Sequence, residues 1–148
     1  ITAGRSTNDG MSEHVAGYIT KRLRAYNKNA KRVLLLGFTF KENVNDIRNT
    51  KVYALYKALR DEGFDVDVHD PLVDADHMSE YPGLAMRNDL FDAKYDLLAL
   101  CVPHQVFTEN RNFYLSACLN DDGMIFDLKA AWKHDYESGN LKLNYFTL

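Results

Sequence analysis

The fold of this chain is decided by RVLLLGFTFKENVNDIRNTKV, the stretch that runs from Arg32 to Val52. Its opening residues, 33–37, are apolar up to a closing glycine, which is typical of a strand buried on both faces of a parallel sheet. The aromatic, basic and Asx residues that follow predict a loop. From Val52 onward apolar residues recur three and four positions apart, which predicts an amphipathic helix with Asn49 or Thr50 as its N-cap.

Strand and helix patterns alternate along the rest of the chain. Further strands are predicted at residues 64–68, 96–102 and 124–127, a short strand at 84–86 and an edge strand at Leu141, Leu143 and Tyr145. Helices are predicted at 50–62, 88–93 and around 113–119, and a turn is predicted at 120–123. Gly63 is the expected C′ residue of the first of these helices. Strands that alternate with helices predict a doubly wound, parallel or mostly parallel α/β sheet with one core.

Basic residues follow two of the predicted strands at their carboxyl ends, where open α/β sheets bind ligands. Lys41 and Arg48 lie in the loop after the first strand, close to a helix N-terminus that favours anions. Lys129 follows the strand 124–127 and reaches the same edge. The residues alone leave alternatives open. On composition a solvated loop lysine is favoured for Lys41, and an ion pair with Asp46 or a charge at the helix start explains Arg48 equally well. The loop is the leading candidate for an anion site.

A helix is predicted before the first strand. One apolar face joins Met11, Val15, Tyr18, Ile19, Leu23 and Tyr26. Basic residues gather at its C-terminal end, where they complement the helix dipole. The helix lies outside the strand-helix repeat, so it either packs on one face of the sheet or serves another contact.

The composition describes a soluble globular protein. The chain of 148 residues has 46% hydrophobic and 26% charged residues and a net charge of −3. This balance argues against nucleic acid as a partner, and no apolar run is long enough for a membrane span. The two cysteines, Cys101 and Cys118, have no CxxC spacing and apolar neighbours, which favours buried thiols in a reducing, cytoplasmic compartment.

Two other groups of reactive side chains are weaker candidates for a functional site. Cys101 and His104 are close in sequence, but a cysteine inside an apolar strand is usually inert, so we expect no catalytic pair and place His104 at most at a pocket edge. A second group mixes acidic residues with histidines: His69, Asp70, Asp74, Asp76 and His77. It follows no metal-ligand spacing, so a polar surface loop without metal is predicted.

The sequence resembles a known family. The run G-F-T-F-K-E-N-x-x-D-x-R-N-T-K-V, followed by D-V-D-V-H-D-P, is similar to the start of the C-terminal domain of UDP-glucose/GDP-mannose dehydrogenases. The segment TFKEN, residues 39–43, most resembles the bacterial branch of the family that acts on UDP-N-acetylhexosamines. The resemblance implies a Rossmann-like fold and an NAD-dependent oxidation of a nucleotide sugar at C6, in polysaccharide precursor synthesis.

The resemblance also assigns site residues. Lys41 would bind the UDP part of the substrate, with Phe40 contributing through its backbone, and Arg48 would reach NAD held mainly by an absent N-terminal domain. Lys129 would bind substrate as well, because F-D-L-K is closer to the N-acetylhexosamine branch than to the D-G-R of UDP-glucose enzymes. The sugar itself is left open between a UDP-N-acetylhexosamine and UDP-glucose.

The resemblance divides the chain into two parts. Residues 1–30 would be the end of the family's central linking helix, which carries a homodimer contact, and residues 31–148 the UDP-sugar-binding domain. No G-x-G-x-x-G follows any strand, no glycine-rich cysteine motif occurs, and the chain begins at Ile1, so we expect a fragment that is inactive alone. The alternatives are a stand-alone nucleotide-binding or regulatory module and a purely structural dimerisation domain.

Overall fold

The computed structural model describes residues 2–48, 50–74, 80–87, 89–90, 94–141 and 144–148, with side chains from Gly10 onward. Its helices and strands follow one another as α1 Thr2–Tyr26, β1 Arg32–Leu36, α2 Val52–Asp61, β2 Asp65–His69, β3 Tyr95–Leu100, α3 Gln105–Glu109, α4 Arg111–Cys118, β4 Leu119–Asp127, α5 Lys133–Glu137 and β5 Asn144–Thr147. None of these described helices is long and apolar enough to cross a lipid bilayer.

The strands form one five-stranded sheet in the order β2-β1-β3-β4-β5. Every pair of neighbours is parallel; in the middle of the sheet Leu35 lies between Val68 of β2 and Ala99 of β3. The predicted doubly wound parallel sheet is therefore confirmed. The chain leaves β1 toward β2 on one side and continues from β3 to β4 on the other, so the strand order reverses between β1 and β3.

Hydrophobic cores cover both faces of the sheet. In β1, Val33 and Leu35 point into the core that α1 and α2 cover, and Leu34 and Leu36 point into the core on the opposite face. All four side chains are fully buried. This two-sided burial explains why the strand is a continuous apolar run in the sequence.

Helix α1 packs against the domain through the middle of its predicted apolar face. Val15, Ile19 and Leu23 are buried in the same core as Val33, whereas Met11 is 60% exposed. The Tyr18 hydroxyl donates a hydrogen bond to the carbonyl of Thr147 at 2.9 Å, which ties α1 to β5. The chain's own sheet therefore occupies this face, and a homodimer through α1, which stays a prediction, has to use other residues of the helix.

The start of α2 differs from its prediction. Lys51 is the N-cap, and Asn49 lies outside the described residues. Thr50 still has a capping role, because its Oγ1 accepts a hydrogen bond from the amide of Val52 at 3.2 Å. The predicted end is confirmed, since Gly63 adopts the left-handed conformation, at φ +98°, just after the C-cap.

The later elements bring further corrections. The turn predicted at 120–123 lies inside β4, where the ladder jumps from the pair Tyr95–Leu119 to Leu97–Met124 and the intervening residues form an irregularity. The short strand at 84–86 is reduced to a single bridge between Val68 and Met86.

Some predicted elements fall partly outside the described residues. Of the helix predicted at 88–93, residues 88 and 91–93 are not described, and residues 89 and 90 are not helical. The predicted edge strand corresponds to β5, which begins at Asn144 and contains Tyr145; Leu141 lies outside it, and residues 142 and 143 are not described. The short helices α3 and α5 have no counterpart in the prediction.

Candidate functional site

The candidate site lies at the carboxyl edge of the sheet, where the strand order reverses. The backbone after β1 passes so close to the backbone after β3 that a Cβ on Gly37 would lie 2.6 Å from the Cβ of Val102 and 2.7 Å from its carbonyl oxygen. Gly37 also has φ +97°. Only glycine fits both conditions, and it allows the β1–α2 loop to start directly over the end of β3.

A buried carboxylate at the end of β2 holds the first residues of this loop. Asp70 Oδ2 accepts hydrogen bonds from the amides of Phe38 at 2.7 Å and Thr39 at 3.2 Å. Its other oxygen accepts from the amide of Leu72 at 2.9 Å. Asp70 is fully buried, so these donors replace the water it has lost.

His104, at the end of β3, extends the same network. Its Nδ1 accepts a hydrogen bond from the amide of Asn43 at 2.9 Å, which places the ring proton on Nε2. Nε2 lies 2.9 Å from Asp70 Oδ2 and 3.1 Å from Thr39 Oγ1. The Thr39 hydroxyl in turn donates to the carbonyl of Lys41 at 2.9 Å. The His104 side chain has no exposed surface, yet it contributes to the lining of a cavity of about 380 Å³ together with Asn43 and Leu72. Both of its ring nitrogens have hydrogen-bond partners, so it is not a free base.

The network keeps Asp70 ionised. Burial acts to raise the pKa of this carboxyl group, but hydrogen bonds from His104 and from the amides of Phe38 and Leu72 outweigh that effect and lower the pKa below its ordinary value. The carboxylate therefore stays an acceptor at neutral pH.

The polar surface loop predicted around His69 and Asp70 is wrong for these two residues. His69 is only 7% exposed and its Nδ1 lies 2.8 Å from the carbonyl of Arg87. Asp76 and His77 lie outside the described residues. Among the residues that are described, no group of histidine, cysteine and acidic side chains could hold a metal ion.

Cys101, which directly follows β3, is buried. Burial raises the pKa of its thiol to about 12, which keeps it protonated and unreactive at neutral pH. Both ring nitrogens of His104 are already hydrogen-bonded, so the ring has no free lone pair with which to activate a thiol. That these residues form no catalytic pair stays a prediction.

The loop after β4 brings Lys129 to the same edge. Asp127 shapes this loop by accepting hydrogen bonds from the amides of Ala131 at 3.0 Å and Trp132 at 2.6 Å. Lys129 Nζ then lies 3.5 Å from Glu42 Oε2 in the loop after β1. Glu42 directly follows Lys41, so the structure brings together the two loops that the sequence singled out.

A cavity of about 290 Å³ opens beside this contact, between α1, the start of α2 and the two loops. Its lining residues include Phe40 and Lys129, both predicted, and Lys51, which the sequence analysis missed. The signal for Lys51 was its position in the first turn of the predicted helix, at the helix N-terminus. Lys41 is exposed on the loop and is not among the lining residues of the cavity.

Arg48 points away into solvent in an ion pair with Asp46. Its Nε lies 3.0 Å from Oδ1 and its Nη2 3.0 Å from Oδ2 of that carboxylate, and its side chain is 80% exposed. The hydrogen bonds from Arg48 lower the pKa of Asp46. The ion-pair interpretation of Arg48 is thus the one the structure displays, and a contact with a cofactor stays a prediction.

The chain matches known proteins over most of its length. Residues 34–134 match the model of the UDP-glucose/GDP-mannose dehydrogenase family, UDP binding domain. The chain is 36% identical over 146 residues to UDP-N-acetyl-D-glucosamine 6-dehydrogenase of Pseudomonas aeruginosa, which covers 97% of this chain and 34% of that protein. It is 35% identical over 141 residues to the CapL protein of Staphylococcus aureus, covering 91% of this chain and 32% of that protein.

The fold has counterparts among solved structures. A structure of UDP-N-acetyl-mannosamine dehydrogenase from S. aureus superposes with a TM-score of 0.62 at 20% identity, over 89% of this chain and 29% of that one. The chain spans about a third of the length of the relatives it matches.

Proposed function

This chain belongs to the UDP-glucose/GDP-mannose dehydrogenase family, and we propose that it binds the UDP part of a nucleotide-sugar substrate at the carboxyl edge of its sheet. The observation that carries the proposal is the contact between Lys129 and Glu42, because it joins the β4 loop to the loop of Phe40 and Lys41. The match to relatives about three times as long supports a dehydrogenase domain over a stand-alone module.

Each residue has a distinct role in this proposal. The ammonium groups of Lys41 and Lys129 bind the diphosphate as point charges with charge-assisted hydrogen bonds. The N-terminus of α2, at Lys51 and Val52, adds a positive electrostatic potential beside the cavity. Phe40, which precedes Lys41 and lines the cavity, contacts the nucleotide through its backbone in this proposal.

We propose that the whole protein is an NAD-dependent 6-dehydrogenase that oxidises a UDP-N-acetylhexosamine or UDP-glucose to the uronic acid for polysaccharide precursors in the cytoplasm. The relatives named UDP-N-acetyl-D-glucosamine 6-dehydrogenase support the first substrate class. The further partners proposed are an N-terminal NAD-binding domain and, through α1, a second copy of the protein.

The residues of this chain fit only a peripheral contact with NAD. The connection from β1 to α2 covers residues 37–51 and contains one glycine, Gly37, so it is no tight glycine-rich turn for a pyrophosphate. Arg48 is exposed, and reaching NAD requires it to share or leave Asp46. When bound, NAD would supply the hydride acceptor, and this chain would hold the substrate.

Isothermal titration of the chain with UDP, UMP and uridine tests the proposal. We expect UDP to bind most tightly and uridine at least about tenfold more weakly, because uridine lacks the charges that the lysines and α2 recognise. Equal affinity for UDP and uridine, or no heat with any of them at millimolar concentration, would contradict the proposal. With UDP-N-acetylglucosamine and NAD, the chain alone is expected to produce no NADH.

A further inference from the structure

Three strands each contribute one buried polar side chain beneath the candidate UDP loop: Thr39 after β1, Asp70 after β2 and His104 after β3. Their exposed fractions are 1%, 0% and 0%. The proposed function gives none of the three a role in contacting the ligand, although Thr39 also lines the candidate cavity. What these three side chains do is therefore indicated by the groups to which they hydrogen-bond.

These hydrogen bonds fix the main chain on both sides of Phe40 and Lys41. On the N-terminal side Asp70 accepts from the amides of Phe38 and Thr39. On the C-terminal side His104 accepts from the amide of Asn43 at 2.9 Å. The Thr39 hydroxyl donates to the carbonyl of Lys41 itself.

Packing does little to hold the tip of this loop. The side chain of Phe40 is 51% exposed, and Lys41 is exposed as well. Asn43 adopts φ +65°, a left-handed conformation that asparagine adopts more readily than most residues other than glycine. Its amide is held by His104, and its side-chain Oδ1 accepts from the amide of Gln105 at 2.7 Å. Within the loop the amide of Phe40 donates a hydrogen bond to the carbonyl of Asp46 at 2.7 Å. The conformation of the loop thus depends on this main-chain bond together with the polar residues beneath it.

A gain in stability is a weak reason for a buried Asp–His pair. A carboxylate and an imidazole lose hydration when they are buried, and apolar replacements of similar volume are often as stable. Most of the bonds that this pair makes end on the loop after β1 rather than on a helix or strand. Holding the geometry of that loop is the role that these bonds support.

We propose that Asp70 and His104 are positioning residues for diphosphate binding, which hold the backbone of Phe40 and Lys41 in its ligand-binding conformation before the ligand arrives. The inference rests on the proposed function, since it assumes that this loop is the UDP site. A preformed loop does not have to be ordered on binding, so its affinity is higher than that of a flexible loop with the same lysine.

Two substitutions separate the bonds of His104. His104→Gln places an amide near the Nε2 position and keeps the donor to Asp70, whereas His104→Asn places one near Nδ1 and keeps the acceptor for the Asn43 amide. Each is expected to weaken UDP binding, and His104→Ala, which loses both bonds, by about 10- to 100-fold. His134→Gln, at an exposed histidine of α5, is the matched control and should bind UDP as the parent does.

The readouts are the dissociation constant for UDP and the melting temperature without ligand. A loss of affinity in folded variants, with partial rescue in His104→Gln or His104→Asn, supports the positioning role. Unchanged affinity in His104→Ala, with UDP bound by the parent, overturns it and leaves the proposed function intact. If the parent itself does not bind UDP, the proposed function fails first and the inference fails with it.

Hydrogen–deuterium exchange of the parent tests the same inference without any variant. The amides of Phe38, Thr39 and Asn43 should exchange slowly before UDP is added and change little afterwards, because their bonds already exist. Fast exchange that becomes slow only with UDP would show that the ligand orders the loop, and would overturn the proposal.

Discussion

The ammonium of Lys129 lies 3.5 Å from the carboxylate of Glu42, so the loops after β4 and β1 meet across the end of β3. Both side chains are 44% exposed, and an ion pair of this kind adds little to stability, about 0–1 kcal/mol. The ion pair matters for ligand binding because it neutralises part of the positive charge of Lys129. If Lys129 binds a phosphate group as proposed, that group has to compete with the carboxylate of Glu42 for the same ammonium.

Replacing Glu42 should therefore strengthen ligand binding. Glu42→Gln removes the competing negative charge, and we expect UDP to bind about two- to fivefold more tightly, with a steeper dependence on salt. Calorimetric titration at low and physiological ionic strength measures both effects. Glu137→Gln, which removes the partner of Lys133 in α5, is the control. Weaker binding by Glu42→Gln would show instead that Glu42 orients Lys129 for the ligand.

Helix α1 should prove to be part of the domain's core. Ile19 is fully buried, so Ile19→Ala is expected to lower the free energy of unfolding by about 2–5 kcal/mol. Met11→Ala, at a position 60% exposed, should change it by no more than about 0.5 kcal/mol. Urea denaturation measures both values. An Ile19→Ala protein that keeps its stability but loses a dimer would show that this face serves an interface between copies.

Stability should fall in mild acid through His69. Burial lowers the pKa of His69 below its ordinary value, and a hydrogen bond to the carbonyl of Arg87 offsets this only in part. As the pH falls below about 6.5, the unfolded chain binds a proton that the folded chain does not, so the free energy of unfolding decreases. One such proton contributes a slope of at most about 1.4 kcal/mol per pH unit.

The variant His69→Asn tests this assignment. It keeps a donor for the carbonyl of Arg87 and cannot titrate, so its stability should depend less on pH between 6.5 and 5 than that of the parent. The exposed His134→Asn should keep the parent's slope. Urea denaturation across this pH range gives the slopes. Equal slopes for His69→Asn and the parent would assign the acid sensitivity to other groups.

The sequence predicted the parts of the fold that depend on local pattern. The apolar run from Val33 to Leu36 predicts a strand covered on both faces. The spacing of Val52, Leu55 and Leu59 predicts a helix packed against it. Each pattern is contained within a single strand or helix, so it can be read without knowing the tertiary structure. Lys129 was predicted correctly to lie near the β1 loop, because parallel strands end at the same edge of the sheet.

The features that the sequence did not predict depend mainly on contacts between residues far apart in the chain. Asp70 and His104 are 34 positions apart, and only the pairing of β1 with both β2 and β3 brings them under one loop. The residues before Met124 have the composition of a turn, yet their backbone continues β4 because the strand accommodates an irregularity beside β3. Helices as short as α3 and α5 have too few residues for a periodic signal.

The central claim is that the cations at this edge bind the diphosphate of UDP, and thermal unfolding with and without ligand tests it. UDP at 100 times its dissociation constant should stabilise the fold by about 2.7 kcal/mol. For a domain of this size that corresponds to a rise in melting temperature of roughly 5–11 °C. The set of proteins is the parent, Lys41→Ala, Lys129→Ala, and Lys28→Ala as a control at an exposed lysine before β1, on the opposite edge of the sheet.

We predict that Lys41→Ala loses most of the shift with UDP and Lys129→Ala a substantial part of it, while both keep nearly the parent's melting temperature without ligand. Both lysines are surface cations outside the core. Lys28→Ala should shift as the parent does. If UDP gives no shift at millimolar concentration, or if Lys41→Ala shifts as much as the parent, then this loop is not the UDP site.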